Sequence, residues 1–119
     1  MNLDLSLAIV QHLAWKVKVR VFLEGKGSLT EKQATSHHDC DLGKWLYAEG
    51  LRQYGHFPEM RELEKVHEQL HSQVREILSL DRHGKKAAAH AAVTVLEGFS
   101  DQVVALLKSV KDKAPAGIA

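Results

Sequence analysis

The strongest constraint on the fold of this chain is a set of nitrogen and sulfur side chains at positions where a helical protein usually places apolar ones. His12 interrupts an apolar stripe near the N-terminus, and His67 lies in a second stripe, one helical turn before His71. Cys40 is the only cysteine among the 119 residues and lies in the segment HHDCDLGKWLY. Imidazoles and a thiolate are soft metal ligands, so the pattern predicts that distant segments converge on one metal ion.

The composition is that of a single domain with an ordinary core, since 45% of the residues are hydrophobic and 26% are charged. We expect one domain over residues 1–113, followed by a flexible tail over residues 114–119. The formal net charge is +1, from 16 basic and 15 acidic residues spread along the chain. This balance provides no basic patch for nucleic acid and no attraction to an anionic membrane.

Other sequence features indicate where in the cell the protein is expected to be. A single cysteine cannot form an internal disulfide, which argues against a disulfide-stabilised secreted protein. The N-terminus lacks the basic region and cleavage site of a signal peptide, and no apolar run has the length needed to cross a bilayer. We therefore expect a cytoplasmic protein in which the Cys40 thiol stays reduced and free to bind a metal.

Apolar periodicity predicts an all-α antiparallel bundle of about four helices with an elaborated connector. We expect long helices over residues 3–23, 58–80 and 85–111. The connector between the first two is punctuated by glycines, and it is expected to carry short helical turns at 30–34 and 40–48. A connector of this length requires something besides backbone hydrogen bonds to fix it, and a metal bond from Cys40 meets that need.

The first helix carries two apolar stripes, although the alternation over 16–21 also resembles a strand; helix is favoured because no partner strand is found. One stripe contains Leu5, Ile9, His12, Val19 and Leu23. The other contains Val10, Leu13, Val17 and Val21. A helix that is apolar on two sides is buried on two sides, so the second stripe is expected to contact another subunit. The last helix is expected to face inward with Ala88, Ala92, Val95, Phe99, Val103, Leu106 and Val110.

The predicted ligand set is His12, Cys40, His67 and His71. One cysteine with three histidines makes a full tetrahedral set for Zn²⁺, whereas Ca²⁺ and Mg²⁺ prefer oxygen ligands. Taken alone, a buried histidine is more often hydrogen-bonded to a carbonyl, and a lone cysteine more often acts as a small hydrophobe. The combination from three segments favours zinc. His37 and His38 neighbour Cys40 and compete as ligands, but so short a separation leaves little room for chelation.

The segment from His67 to His71 also matches the H-E-x-x-H helix of zinc hydrolases, in which Glu68 acts as a general base. A catalytic zinc keeps one coordination position open for water, and Cys40 is available to close it. We therefore expect a protein that is not an enzyme. A zinc hydrolase using Glu68 and a purely structural bundle stapled by zinc are the alternatives.

The order of these motifs resembles the chemoreceptor zinc-binding domain (CZB) family. The resemblance rests on His12-x-x-Trp15-Lys16, on HHDCDLGKWLY and on Leu63-Glu64-x-x-His67-x-x-x-His71. Its most specific element is Cys-x-Leu-Gly-x-Trp, formed here by Cys40, Leu42, Gly43 and Trp45. The likeness covers roughly residues 5–80, and the last helix fits by architecture only.

The resemblance implies Zn²⁺ bound by His12, Cys40, His67 and His71 in a helical homodimer. Members of the family are attached to bacterial soluble chemoreceptors or to diguanylate cyclases, or they occur alone. They are linked to the sensing of zinc and of hypochlorous acid at the zinc-bound cysteine. We accordingly expect a cytosolic sensory or regulatory domain that senses zinc, oxidants or both and signals to a chemoreceptor or cyclic-di-GMP partner, with oxidation of Cys40 as the second input.

Overall fold

The computed structural model describes residues 3–27 and 29–114. In these ranges the chain is helical and contains no strand, which confirms the predicted all-α class. The elements in chain order are α1 (Leu3–Leu23), α2 (Glu31–Thr35), α3 (Asp41–Trp45), a π-helical turn (Leu46–Gly50), α4 (Leu51–Tyr54), α5 (Pro58–Arg82) and α6 (Lys86–Lys113).

The ends of the long helices agree with the sequence prediction to within a few residues. Pro58 is the first residue of α5, where its missing N–H is not needed and its fixed φ suits the helix. Ala114 is buried at the end of α6, so the packed part of the chain extends at least to this residue. The rest of the predicted tail, residues 115–119, lies outside the described residues. No helix within 3–27 and 29–114 is long and apolar enough to cross a membrane.

Helices α5 and α6 form an antiparallel hairpin. Glu59, near the start of α5, forms an ion pair with Lys113 at the end of α6. Further along, the Gln73 side chain donates a hydrogen bond of 3.2 Å to the carbonyl oxygen of Ala92. This pairing of early with late residues brings the buried face of α5 against α6 over most of its length.

Helix α1 is antiparallel to α6, and the connector returns the chain to the start of α1. Arg20, near the end of α1, contacts Glu97 in the first half of α6 at 2.8 Å. At the other end, the Tyr54 hydroxyl donates a hydrogen bond of 2.9 Å to Asp4. The connector therefore spans the molecule and serves as the fourth element of the bundle.

The connector is more helical than the sequence predicts. The predicted turn at 30–34 is α2, which begins with a capping box between Thr30 and Gln33. The predicted turn at 40–48 continues through the π-helical turn into α4. Gly50 lies against the ring of Trp45, where an added Cβ would approach the ring to 2.9 Å. The close approach explains why this position of the π-helical turn is a glycine.

The second apolar stripe, in which the sequence places His67, lies on the buried face of α5, and His71 lies on the same face. The buried residues of this helix are Met60, Leu63, Val66, His67, Leu70, His71, Val74 and Ile77. They recur every three or four residues, as expected for one face of a helix in a core. The apolar spacing of α5 therefore fixes the direction in which both histidine side chains point.

The predicted inward face of α6 is wrong at two positions of its first half, whereas Ala92 and Phe99 are partly buried and pack against the core. Ala88 and Val95 are exposed, and the adjacent Ala89 and Leu96 are buried in their place. Helix α6 packs against both α1 and α5, so its buried face is turned toward the space between these two helices. In the second half the prediction holds for Val103, which is fully buried, as is Val110.

Of the two stripes on α1, one is buried and the other is exposed in the single chain. Leu5, Ile9, His12 and Val19 belong to the core. The second stripe faces outward, with exposed fractions of 60% for Val10, 44% for Leu13 and 65% for Val17. The expectation that this second face meets another subunit stays a prediction.

Candidate metal centre

The core of the site is the histidine pair on α5. His67 and His71 have no exposed surface, and their ring centroids lie 4.8 Å apart. Burial disfavours the charged form of an imidazole, and it lowers the pKa of His67 to about 2 and that of His71 to about 4. Both rings are therefore neutral at physiological pH, which is the protonation state that a metal ligand requires.

The hydrogen bonding of His71 fixes which nitrogen is available. Its Nδ1 donates a hydrogen bond of 2.8 Å to the carbonyl oxygen of Ala34, the buried residue of α2. The lone pair of the neutral ring is then on Nε2, which is buried and has no hydrogen-bond partner in the described part of the chain. Metal-ligating histidines commonly donate their second nitrogen to a backbone carbonyl in this way, which sets the tautomer and the ring orientation.

Cys40 is placed by the start of α3. It is the N-cap residue of that helix, and its Sγ accepts a hydrogen bond of 3.3 Å from the backbone N–H of Gly43. The same sulfur lies 3.2 Å from Nε2 of His67. Burial raises the pKa of the Cys40 thiol to about 11, so in the metal-free protein the sulfur carries a proton at neutral pH.

The glycine of the Cys-x-Leu-Gly-x-Trp motif has a steric role. A Cβ at Gly43 would lie 1.9 Å from the carbonyl oxygen of His37, far inside contact distance. The turn that carries His37 and His38 therefore packs directly on the backbone of α3. Only glycine at this position lets the turn and the helix approach closely enough to place the Cys40 sulfur beside His67.

Three of the four predicted ligands converge in the described part of the chain. The ligand atoms of Cys40, His67 and His71 all lie within 4.8 Å of one another, and the three residues are buried. Tetrahedral zinc with bonds of about 2.0–2.3 Å needs ligand atoms about 3.3–3.8 Å apart, so a small contraction suffices.

The donor set and the unpaired Nε2 of His71 both fit Zn²⁺. In His67, Nε2 lies beside the Cys40 sulfur, and Nδ1 is buried without a hydrogen-bond partner among the described residues. An unsatisfied buried polar atom costs about 1–3 kcal/mol, and such atoms are rare unless a water or an ion completes them. Sulfur and imidazole nitrogen are ligands that zinc prefers, and no carboxylate belongs to the cluster.

His12 is close to this cluster but has a different partner. It is 2% exposed, and its Nε2 lies 2.8 Å from the hydroxyl oxygen of Ser100 on α6. Burial, and then the charge of Lys16, lowers the pKa of His12 to about 4. The Trp15 ring contacts both histidines, with its centroid 5.7 Å from that of His12 and 4.9 Å from that of His71, and its indole N–H donates to the Gln33 carbonyl.

Ser100 is the partner of a predicted ligand that the sequence analysis missed. The apolar pattern of α6 predicts Phe99 as the inward residue, but Ser100 is the buried one, with an exposed fraction of 2%. A serine within an apolar helix gives no periodic signal. Only the expectation that a buried histidine has a hydrogen-bond partner pointed to a residue of this kind.

The remaining histidines and Glu68 lie outside the cluster. Glu68 is exposed on the outer side of α5, in contrast to the buried His67 beside it. His38, His56, His83 and His90 are exposed, and His37 is partly buried. A zinc hydrolase would need the Glu68 carboxylate on the face of α5 that carries His67 and His71. In this structure Cys40 lies against that face.

A comparison with protein-family models places this geometry in a known context. The family model for the chemoreceptor zinc-binding domain matches residues 12–78, which include His12, Cys40, His67 and His71 and end before α6. Neither the curated proteins nor the solved structures gave a match. The match covers more than half of the chain and contains the cluster that is positioned to bind a metal ion, so this zinc-binding chain belongs to the chemoreceptor zinc-binding domain family.

Proposed function

We propose that the protein is a sensory or regulatory domain whose Zn²⁺ is bound by His12, Cys40, His67 and His71. The observation that carries the proposal is the buried convergence of Cys40, His67 and His71, with one nitrogen of each histidine left without a partner. Membership of the family, which is regulatory, supports a sensory role over a catalytic one.

The assignment of His12 as the fourth ligand rests on its position and chemistry. It is buried, it is neutral at pH 7, and it is near enough to His67 and His71 to lower their pKa values electrostatically. An imidazole has two nitrogens, so the bond to Ser100 leaves one free. A ligand histidine held by a hydroxyl through its second nitrogen is a common arrangement around zinc.

The site joins segments that are distant in sequence, and this gives the domain a means of response. Cys40 belongs to the connector, His71 holds the Ala34 carbonyl of α2, and both lie against α5. When bound, Zn²⁺ supplies bonds of this kind that hold the connector to the helices. Without them, the connector is held by hydrogen bonds, by packing and by the ion pair between Glu31 and Arg82, and the unpaired nitrogens of His67 and His71 oppose the closed arrangement.

An oxidant is a second input that fits the surroundings of Cys40. The residue is 3% exposed, but it lines a small crevice of about 50 Å³ together with residues of α1 and α2. A molecule as small as hypochlorous acid fits such a space. The thiolate is converted to a sulfenic acid, R–S⁻ + HOCl → R–SOH + Cl⁻, and the oxidised sulfur is a poorer metal ligand.

The exposed face of α1 supports a homodimer. Leu7, Val10, Ala14, Val17 and Val21 recur at alternating spacings of three and four residues, which is the seam of a two-helix coiled coil. Leu7 is 56% exposed and Val17 is 65% exposed, so the seam is open in the single chain. In the cytoplasm, such a dimer is suited to pass its state to a chemoreceptor or to a diguanylate cyclase partner.

Metal content tests the proposal. The purified, reduced protein is expected to contain one Zn²⁺ per chain by elemental analysis. Cys40→Ala and His71→Ala should lose most of it, while His83→Ala, a change at an exposed histidine, should keep it. A wild-type protein without stoichiometric zinc contradicts the proposal. Zinc retained by Cys40→Ala, together with hydrolysis that Glu68→Gln abolishes, would instead support the hydrolase.

A further inference from the structure

A second pair of histidines, His37 and His38, lies between the buried site and the solvent; we call it the outer histidine pair. Their ring centroids are 4.2 Å apart, and the ring of Tyr47 lies 4.4 Å from that of His38. His37 is partly buried and His38 is exposed. One ring of the pair thus faces the interior and the other faces the solvent.

His37 connects this pair to the buried site. Its ring lies edge-on to the ring of His67, with centroids 6.1 Å apart. The backbone of the pair is fixed from two sides, because the His37 carbonyl rests on Gly43 and the His38 N–H donates to the Ser36 hydroxyl at 3.3 Å. The turn that leads to Cys40 therefore holds the two imidazoles beside the cluster of Cys40, His67 and His71.

The charged groups near the outer histidine pair are on α5. Glu68 and Glu64 act electrostatically on His37, and Arg75 acts on it in the opposite sense. Glu64 is also paired with Arg61 at 3.8 Å. Positive and negative charges are therefore close to balanced here, so the nitrogen ligands, and not the local charge, make this surface suitable for Zn²⁺.

The other approach to the cluster is less suited to a metal ion. The crevice at Cys40 is lined by one cation, Lys18, and one carboxylate, Asp41, and it contains no histidine. An ion that enters there finds no nitrogen ligand before Cys40. The side with the outer histidine pair offers two imidazoles before His67, the nearer with its ring centroid 6.1 Å from that of His67.

We propose that the outer histidine pair is a loading site, which takes Zn²⁺ from the solvent and passes it to Cys40 and His67. The proposal rests on the zinc-binding function described above. Two imidazoles without a third strong ligand bind zinc only weakly, so the ion is not retained there once the complete buried set is available. A site on the entry path lowers the same barrier for binding and for release. It therefore raises both rate constants by the same factor and leaves the equilibrium affinity unchanged.

The test is the kinetics of zinc transfer in the double variant His37→Gln/His38→Gln. Binding of Zn²⁺ is followed by stopped-flow tryptophan fluorescence, since Trp15 lies against His12 and His71. Release is followed by transfer to a coloured chelator, and the affinity is measured by chelator competition at equilibrium. We expect both rate constants to fall severalfold with the affinity unchanged, because the variant removes two nitrogen ligands from the approach and leaves the α5 carboxylates in place.

A matched control is His83→Gln/His90→Gln, which removes two exposed histidines away from the cluster and should keep wild-type rates. Equal rates in wild type and the His37/His38 variant overturn the proposal. A weaker equilibrium affinity with unchanged binding rate also overturns it, because the pair would then be part of the resting site. A wild-type protein that binds no zinc at all refutes the proposed function itself, and this result is distinct from both.

Discussion

Nε2 of His12 lies 2.8 Å from Oγ of Ser100, and this contact joins α1 to α6 across 88 positions of sequence. Helix α6 lies outside the residues that the family model matches. Among the described residues, this is the polar contact that connects α6 to a predicted zinc ligand. The serine hydroxyl can donate or accept, so it can hold His12 in either tautomer. Ser100 therefore fixes one nitrogen of the His12 ring and connects that ring to α6.

The first prediction concerns this hydrogen bond. Ser100→Ala leaves one nitrogen of His12 buried without a partner, and loss of such an outer partner commonly costs about tenfold to a hundredfold in metal affinity. We expect zinc affinity, measured by chelator competition, to fall by about tenfold or more. Ser109→Ala is the control, because this α6 serine bonds Glu59 away from the site. Equal affinity in the Ser100 variant and wild type would show that His12 does not depend on this hydroxyl.

The second prediction concerns Gly43. In Gly43→Ala the new Cβ meets the His37 carbonyl oxygen, so the turn before Cys40 must move away from α3. We expect a loss of stability of about 3 kcal/mol, at the upper end for overpacking, and weaker zinc binding because the sulfur moves with the turn. Urea unfolding and metal content measure the two effects.

Gly98 provides the control for the backbone effect of this change. It also lies within a helix, but a Cβ there would meet nothing within 4 Å. Alanine is a better helix former than glycine, so Gly98→Ala should gain about 0.5–1 kcal/mol of stability. A Gly43 variant as stable and as zinc-bound as the Gly98 variant would refute the steric role assigned to the motif.

The positions of the cluster residues could be predicted to different degrees, for physical reasons. His67 and His71 follow directly from the apolar period of α5, because residues three or four apart share a helix face. Cys40 was predicted from its motif, but its location beside His67 depends on the contact between Gly43 and the His37 carbonyl, which no periodic pattern describes. The partnership of His12 with Ser100 was not predictable, because it depends on how α1 and α6 pack.

The same distinction applies to the fold. The three long helices were predicted because each has a sustained apolar period and a recognisable start or end. The inward face of α6 was wrong at Ala88 and Val95 because contact with two neighbouring helices moves the buried face away from the apolar stripe. The π-helical turn at Leu46–Gly50 depends on the packing of Trp45 on Gly50, a tertiary contact.

The third prediction concerns protons released on zinc binding. The pKa of Cys40 is raised to about 11, so its thiol is protonated at pH 7, while the lowered pKa values of His67 and His71 leave both rings neutral. Zinc needs the thiolate and the neutral imidazoles, so one proton should leave per ion, and the affinity should rise about tenfold per pH unit around neutral pH.

Calorimetric titration in buffers of different ionisation enthalpy measures this number. Cys40→Ala is the control, because zinc that still binds to the histidines of this variant should release almost no protons. Release of two or more protons by the wild type at pH 7 would mean that some of the histidines are charged in the metal-free protein, and it would contradict the protonation states inferred from their burial.

The last prediction concerns the exposed face of α1. A lysine at Val10 and another at Val17 would place charges in the centre of the proposed coiled-coil seam, where facing copies would bring like charges together. We expect Val10→Lys/Val17→Lys to be monomeric by light scattering where the wild type is dimeric, with zinc content unchanged because these side chains point away from the core. Val95→Lys is the control, since Val95 is 50% exposed on α6. It should leave the dimer intact, and a dimer that survives the double change would place the interface on another surface.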